Sequence, residues 1–279
     1  MVYVLKIDMD GEKKRRLLEK INAKARLMQE GHLCIESALD VVFMIDTTGS
    51  MDPYINEVRD NILRIIEDVL EFSPRIRMGV IAYKDHGEEG EDEFYLTRIL
   101  PLMFDRKDIV SFVRSPDLYV GEGGGGPEAV ECALHEAVNF NWNGTAPKAI
   151  ILIGDKPPHG VMDSLRSCTK MHDYRKEVEA IRRKGIRIYP ILCNSISETE
   201  SNFRWMACET GGEFFYLKNI SDMRDLLTGI CLKETGKLAF FEKRLLEYGD
   251  LTKSKKKILL QLSGGNQNKP KDVCDNVGG

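Results

Sequence analysis

Short apolar runs alternate with amphipathic stretches along most of this chain, and that alternation leaves few folds open to it. Runs at 40–46, 77–83, 149–154 and 186–193, with a shorter one at 213–217, have the length and composition of strands. Residues 53–72 place Ile55, Val58, Ile62, Ile65, Ile66 and Val69 on one helical face, with Pro53 in the first turn. Helical spacing recurs at 107–114, 129–138, 171–183, 198–210 and 222–231. Strands alternating with helices imply an α/β fold: a doubly wound, mostly parallel sheet with helices on both faces. The run at 94–102 is the exception, because the polar segment 85–93 that precedes it is too short for a helical crossover. It is expected as an antiparallel edge strand.

The periodicity delimits a main domain over 38–235. Before it, Leu17, Leu18, Ile21, Ala25 and Met28 recur at helical spacing among charges, which predicts a helical extension over 1–37. After it, 238–248 can form a helix, whereas the charge run 253–257 and the glycine-rich stretch 264–279 read as a disordered tail. The 40 basic and 44 acidic residues are spread along the chain, so no basic field of the kind that nucleic acids require is present. Lys6, Asp8 and Asp10 interrupt the first apolar stretch, and no run reaches membrane-spanning length. Seven scattered cysteines without a C-x-x-C pair fit reduced thiols, and a cytoplasmic location is expected.

The chemistry concentrates where strands end. Asp46-Thr47-Thr48-Gly49-Ser50-Met51 directly follows the apolar residues 41–45, and a second carboxylate, Asp155, directly follows 149–154. In a doubly wound sheet, ligands bind at the carboxyl ends of the strands, at the point where the strand order reverses. Asp46, Thr48, Ser50 and Asp155 gathered there would offer hard oxygen donors. Such a set suits Mg²⁺ or Mn²⁺ better than Zn²⁺, which prefers nitrogen and sulfur. Two crowded carboxylates would otherwise repel each other.

These motifs, with the glycine-rich loop 121–126 between them, resemble a von Willebrand factor type A domain over roughly residues 38–232. Tyr83-Lys84-Asp85-His86, the run Gly123 to Val130 and the run Leu152 to Gly160 are similar to the branch of that family found at the amino terminus of some α-kinases. The resemblance implies a metal-ion-dependent adhesion site in which Thr48 and Ser50 coordinate through their hydroxyls, while Asp46 and Asp155 hold the ion directly or through water. It further implies a non-catalytic module, in which an acidic residue of a protein partner completes the coordination of Mg²⁺ or Mn²⁺. Where the branch usually has an aspartate, two positions before Pro127-Glu128, this chain has Gly125, and Glu122 is the candidate replacement ligand.

Other readings compete. A strand-final Asp46 is also the position of the nucleophile in aspartyl phosphatases, but Thr48 stands where their second aspartate supplies acid and base. Gly123 to Gly126 lacks the Gly-Lys-Ser/Thr of a phosphate loop. Cys132 with His135, and Cys168 with His172, are soft ligands at helical spacing, but nothing in the sequence groups the two segments. His159, in the loop after Asp155, is expected either to stabilise that loop or to border a partner surface.

Overall fold

The computed structural model describes residues 38–72, 75–86, 95–118, 126–161, 167–193, 197–217, 222–247 and 252–264. The expected amino-terminal helix, the acidic segment 88–93, Glu122, Gly125 and the stretch 265–279 lie outside the described residues.

Among the described residues, six strands form one sheet in the order β3-β2-β1-β4-β5-β6. They are β1 (Leu39–Asp46), β2 (Ile76–Tyr83), β3 (Thr97–Met103), β4 (Lys148–Gly154), β5 (Arg187–Leu192) and β6 (Phe215–Tyr216). All neighbours pair in parallel except β2 and β3, which are antiparallel as expected for the edge. Eight helices of α type accompany them among the described residues: α1 (Asp52–Phe72), α2 (Arg106–Arg114), α3 (Val130–Val138), α4 (Tyr174–Arg183), α5 (Ser197–Thr210), α6 (Met223–Glu234), α7 (Leu238–Glu247) and α8 (Lys253–Leu262).

Every residue of β1 is buried, because both sheet faces are covered. Its side chains alternate between two cores. Val41, Phe43 and Ile45 pack with Ile55, Val58 and Ile62 of α1 and Leu226, Leu227 and Ile230 of α6. Val42 and Met44 pack with Val130, Ala133 and Leu134 of α3, Val178 and Ile181 of α4, and Phe203 and Met206 of α5. At the amino end of β1, buried Asp40 accepts two bonds from the Arg77 guanidinium at 2.9 and 2.5 Å and one from the Asn143 amide at 2.6 Å. This satisfies the carboxylate within the sheet's lower rim.

Helix α4 starts later than its periodicity suggests. Asp173 accepts from the Arg175 amide at 2.9 Å and caps the helix, while Met171 just before it adopts a left-handed φ of 60°.

The carboxyl end differs more. Residues 253–262, expected within a disordered tail, form α8. The Thr252 hydroxyl accepts from the Lys255 amide at 3.2 Å, and the four lysines of the helix share it with Ile258, Leu259 and Leu262. Leu259 and Leu262 are buried, Leu262 within the main core. Gly229 on α6 makes room for it, since a Cβ there would stand 2.6 Å from a Leu262 methyl. Four apolar residues within five positions, 258–262, escaped a reading dominated by charge. Leu262→Ala is expected to cost about 2–4 kcal/mol, read as a lower urea midpoint, and to speed proteolysis within 252–264. An unchanged midpoint and cleavage pattern would mean that α8 does not depend on this anchor.

Candidate metal centre at the ends of β1 and β4

The strand order places β1 between β2 and β4, so the chain leaves β1 toward one edge and returns to its other side as β4. That is the reversal point at which open α/β sheets bind ligands. Parallel register pairs Ile45 with Ile153, so Asp46 and Gly154-Asp155 leave the sheet side by side.

After Asp46 the chain turns through a short 3-10 segment, Gly49–Met51, into α1. The turn is held by Asp46 itself: its Oδ1 accepts the Thr48 amide at 3.0 Å and the Thr48 hydroxyl at 2.7 Å. The Thr48 and Ser50 hydroxyls lie 3.3 Å apart, and Ser50 donates to Asp155 Oδ1 at 2.9 Å. Four of the five candidate ligands, Asp46, Thr48, Ser50 and Asp155, therefore form one continuous oxygen cluster. Glu122 is not among the described residues.

Both aspartates are fully buried, and in each the second oxygen, Oδ2, has no hydrogen-bond partner among the described residues. Burial pushes the Asp46 carboxyl up to about 7, against the Thr48 bonds that favour its anion and with the Asp155 charge adding to the rise. The thiol of Cys193, at the end of β5, is driven far above its ordinary range by burial and then by the same two carboxylates. Unshared anionic oxygens in a dry site are costly, and a divalent cation is the group that would offset that cost. The donor set of two carboxylates and two hydroxyls fits a hard cation.

Several supporting residues are given no role by the sequence motifs. Lys84 is completely buried at the end of β2, its ammonium donating to the Thr47 carbonyl at 3.1 Å and lying 5.3 Å from the Tyr95 ring centre. The Thr47 hydroxyl donates to the Tyr83 carbonyl at 2.9 Å, and the Thr199 hydroxyl donates to the Asp155 carbonyl at 3.1 Å. Gly154 is required by proximity: a Cβ on it would lie 2.7 Å from the Tyr83 hydroxyl and 3.3 Å from Asp46 Cβ.

His159 is a loop-stabilising residue. It is 8% exposed, with Nε2 3.1 Å from Asp85 Oδ1 and Nδ1 3.1 Å from Glu131 Oε1, while its amide donates to Glu131 Oε2 at 3.2 Å. Burial alone would lower its pKa, but the two carboxylates prevail and raise it to about 9. Burial likewise opposes ionisation of Glu131, yet hydrogen bonds from His159 and His86 hold it down at about 2.

The two cysteine-histidine segments, which nothing in the sequence grouped, are in fact together. Cys132 and Cys168 have Sγ atoms 3.5 Å apart, and the His135 and His172 rings stack at 3.9 Å. Packing of α3 against α4 and the turn at 168–171, closed by Met171 N to Cys168 O at 2.9 Å, fold the second segment over the first. Cys132, Cys168, Cys193 and Cys231 are free thiols, whereas Cys208 is disulfide-bonded, so the reduced state expected of all seven does not hold there.

The family model described as the von Willebrand factor type A domain matches residues 40–229. The chain belongs to that family, whose domains are generally protein-interaction modules. It is similar to an α-protein kinase, vwkA, of Dictyostelium discoideum, at 26% identity over 253 residues, covering 89% of this chain and 34% of that protein. It is also similar to a putative ariadne-like RING finger protein, R811, of Acanthamoeba polyphaga mimivirus, at 22% identity over 198 residues, covering 67% of this chain and 19% of that protein. The chain thus spans about a third and a fifth of the lengths of these relatives.

The close approach at Gly154 makes a double-mutant forecast. Gly154→Ala should destabilise by about 1–3 kcal/mol through overpacking. Tyr83→Phe, which deletes a buried hydroxyl lacking a partner among the described residues, should be neutral or stabilising alone and should recover most of the loss in the Gly154→Ala background. Strict additivity of the two urea-melt effects would contradict the assigned contact.

Proposed function

We propose that this protein is a metal-ion-dependent protein-binding module, with Asp46, Thr48, Ser50 and Asp155 holding Mg²⁺ or Mn²⁺ and a partner protein supplying an acidic side chain to the same ion. The observation that carries this reading is the pair of buried Oδ2 atoms without partners among the described residues, set in a cluster otherwise joined by the Thr48 and Ser50 hydroxyls. Thr48 and Ser50 would coordinate through their hydroxyls, and the aspartates directly or through water, as Mg²⁺ commonly retains waters. When bound, the ion supplies positive charge and an open coordination position. This chain's residues orient that position: Lys84 fixes the turn carrying Thr47 and Thr48, and Thr199 fixes the backbone of Asp155. Glu122 remains the proposed fifth ligand, from the segment between α2 and α3.

The module is proposed to be non-catalytic, acting as an interaction or scaffold protein. Thr48 occupies the position from which a phosphatase-type mechanism would need an acid, and its hydroxyl already donates to Asp46. The kinase and RING-finger descriptions belong to the relatives, and neither activity is carried over here. A cytoplasmic setting is proposed from the four free buried thiols, although the disulfide at Cys208 pulls the other way. No helix among the described residues is long and apolar enough to cross a membrane.

Calorimetric titration with Mg²⁺ and Mn²⁺ should give a binding heat in the wild-type protein that is lost in Asp46→Ala and reduced at least tenfold in affinity in Ser50→Ala. A pull-down in Mg²⁺ should retain a protein that chelator releases and Asp46→Ala fails to capture. Equal heats in all variants, or capture indifferent to chelator, would overturn the proposal.

A further inference from the structure

Beside the oxygen cluster stands a second convergence of ligand-type side chains with a different chemistry. His86 follows β2, Glu131 and Cys132 occupy the first turn of α3, and Cys168 precedes α4. One ligand atom from each lies within 4.8 Å of all the others. The side chains of His86 and Glu131 are 5% and 0% exposed, and Cys132 and Cys168 are 4% and 6% exposed as residues.

The spacing is that of a coordination polyhedron. Zinc bound tetrahedrally to sulfur, nitrogen and oxygen at ordinary lengths separates its ligands by about 3.8 Å for S···S, about 3.6 Å for S···N and S···O, and about 3.4 Å for N···O. Here Cys132 Sγ lies 3.5 Å from Cys168 Sγ, 3.6 Å from His86 Nε2 and 3.9 Å from Glu131 Oε1, and His86 Nε2 lies 3.0 Å from Glu131 Oε1. Four of the six separations are thus close to those of such a site, and the two from Cys168 Sγ to His86 Nε2 and Glu131 Oε1 lie within 4.8 Å.

The groups behind the ligands match as well. His86 places Nδ1 2.9 Å from the Thr169 hydroxyl, which fixes the ring with Nε2 facing the cluster. Glu131 keeps its other oxygen on the His159 amide, and His159, with each ring nitrogen on a carboxylate, is placed to carry a compensating positive charge. Metal-binding histidines and carboxylates are regularly oriented in this way.

We propose that His86 Nε2, one oxygen of Glu131 and the Sγ atoms of Cys132 and Cys168 form a closed, structural zinc site. Two thiolates and an imidazole select Zn²⁺ over the hard cations that suit Asp46 and Asp155. Four protein ligands leave no open position, so the role is to fasten the loop after β2, the start of α3 and the segment before α4. Binding converts both thiols to thiolates, with two protons released to solvent, and leaves His86 neutral with its remaining proton on Nδ1 facing Thr169.

The test uses the full chain, purified in a reductant that is not itself a thiol. Metal analysis should find about one zinc per chain; this zinc should survive Asp46→Ala and vanish in the Cys132→Ser/Cys168→Ser double variant. Metal-stripped wild-type protein titrated with Co²⁺ should develop thiolate-to-cobalt charge transfer and tetrahedral visible bands that saturate at one equivalent, with the charge transfer weakened in Cys168→Ser. Since the double variant can fail to fold, the wild-type cobalt spectrum decides alone. Folded, reduced protein that takes up Co²⁺ without thiolate bands would overturn the site. So would mass spectrometry showing Cys132 and Cys168 joined as a disulfide in that reductant. Loss of Mg²⁺ binding in Asp46→Ala with zinc retained would separate this site from the oxygen cluster.

Discussion

The parallel pairing of β1 with β4 brings two carboxylates, Asp46 and Asp155, out of the sheet at the same buried edge, and the surrounding chain is arranged around that fact. Each acid pairs one oxygen and leaves the other without a partner among the described residues. An apolar core could not tolerate this without a cost of several kcal/mol per charge. The protein meets part of it locally, since Asp46 receives two bonds from Thr48, Asp155 receives one from Ser50, and Asp46 retains its proton up to about pH 7 in the absence of an ion. Gly154 follows from the same constraint, because the strand carrying Asp155 must pass against Asp46 and Tyr83 with no side chain between.

Most of the sheet could be read from the chain because strands covered on both faces must be apolar throughout, and helices packed on them must carry a stripe of apolar residues. The runs ending in Asp46, Tyr83 and Gly154 show this without ambiguity, and the oxygen cluster was legible because its donors sit at fixed offsets from those strand ends. What escaped depends on contacts between segments far apart in sequence. Lys84 stands in the stretch Tyr83 to His86, whose resemblance gives it no role, and only the fold buries its ammonium under Thr47 and Tyr95. The charge run in α8 hid Leu259, which packs with Leu232, Phe241 and Leu245, and Leu262, which fits a gap at Gly229 in another helix. Cys132 and Cys168 are 36 positions apart and meet through a turn with one left-handed residue, Met171, for which periodicity offers no cue.

Apart from α8, the elements that escaped share a place. Ala129 donates to the Lys84 carbonyl and Glu128 to the Pro157 carbonyl, each at 3.0 Å, so the loops after β2 and β4 are both tied to the entry of α3. Glu131 adds side-chain bonds to His86 and His159, and His159 reaches on to Asp85. Directed polar bonds, with a small buried cluster of Ala129, Cys132 and Cys168, fasten this collar beside the oxygen cluster. Loops need such bonds because they lack a sheet or helix ladder to satisfy their backbone and cannot bury a continuous apolar face.

Two neighbouring cation sites are chemically workable in one small domain only if their donors discriminate. Zinc outcompetes magnesium at almost any site containing nitrogen or sulfur, so a mixed donor set at the strand ends would be claimed by the wrong ion. Asp46, Thr48, Ser50 and Asp155 offer oxygen alone, and the nearby soft donor Cys193 has its thiol kept protonated by burial and by the two carboxylates. The imidazole and thiols of His86, Cys132 and Cys168 are gathered instead at the α3 entry, where Glu131 contributes the only carboxylate of the proposed ligand set. With both proposed ions bound, segregating hard donors at the strand ends from soft donors in the collar would let the open position keep a weakly held, exchangeable ion suited to reversible partner binding, while a closed zinc site would fasten the loops that frame it.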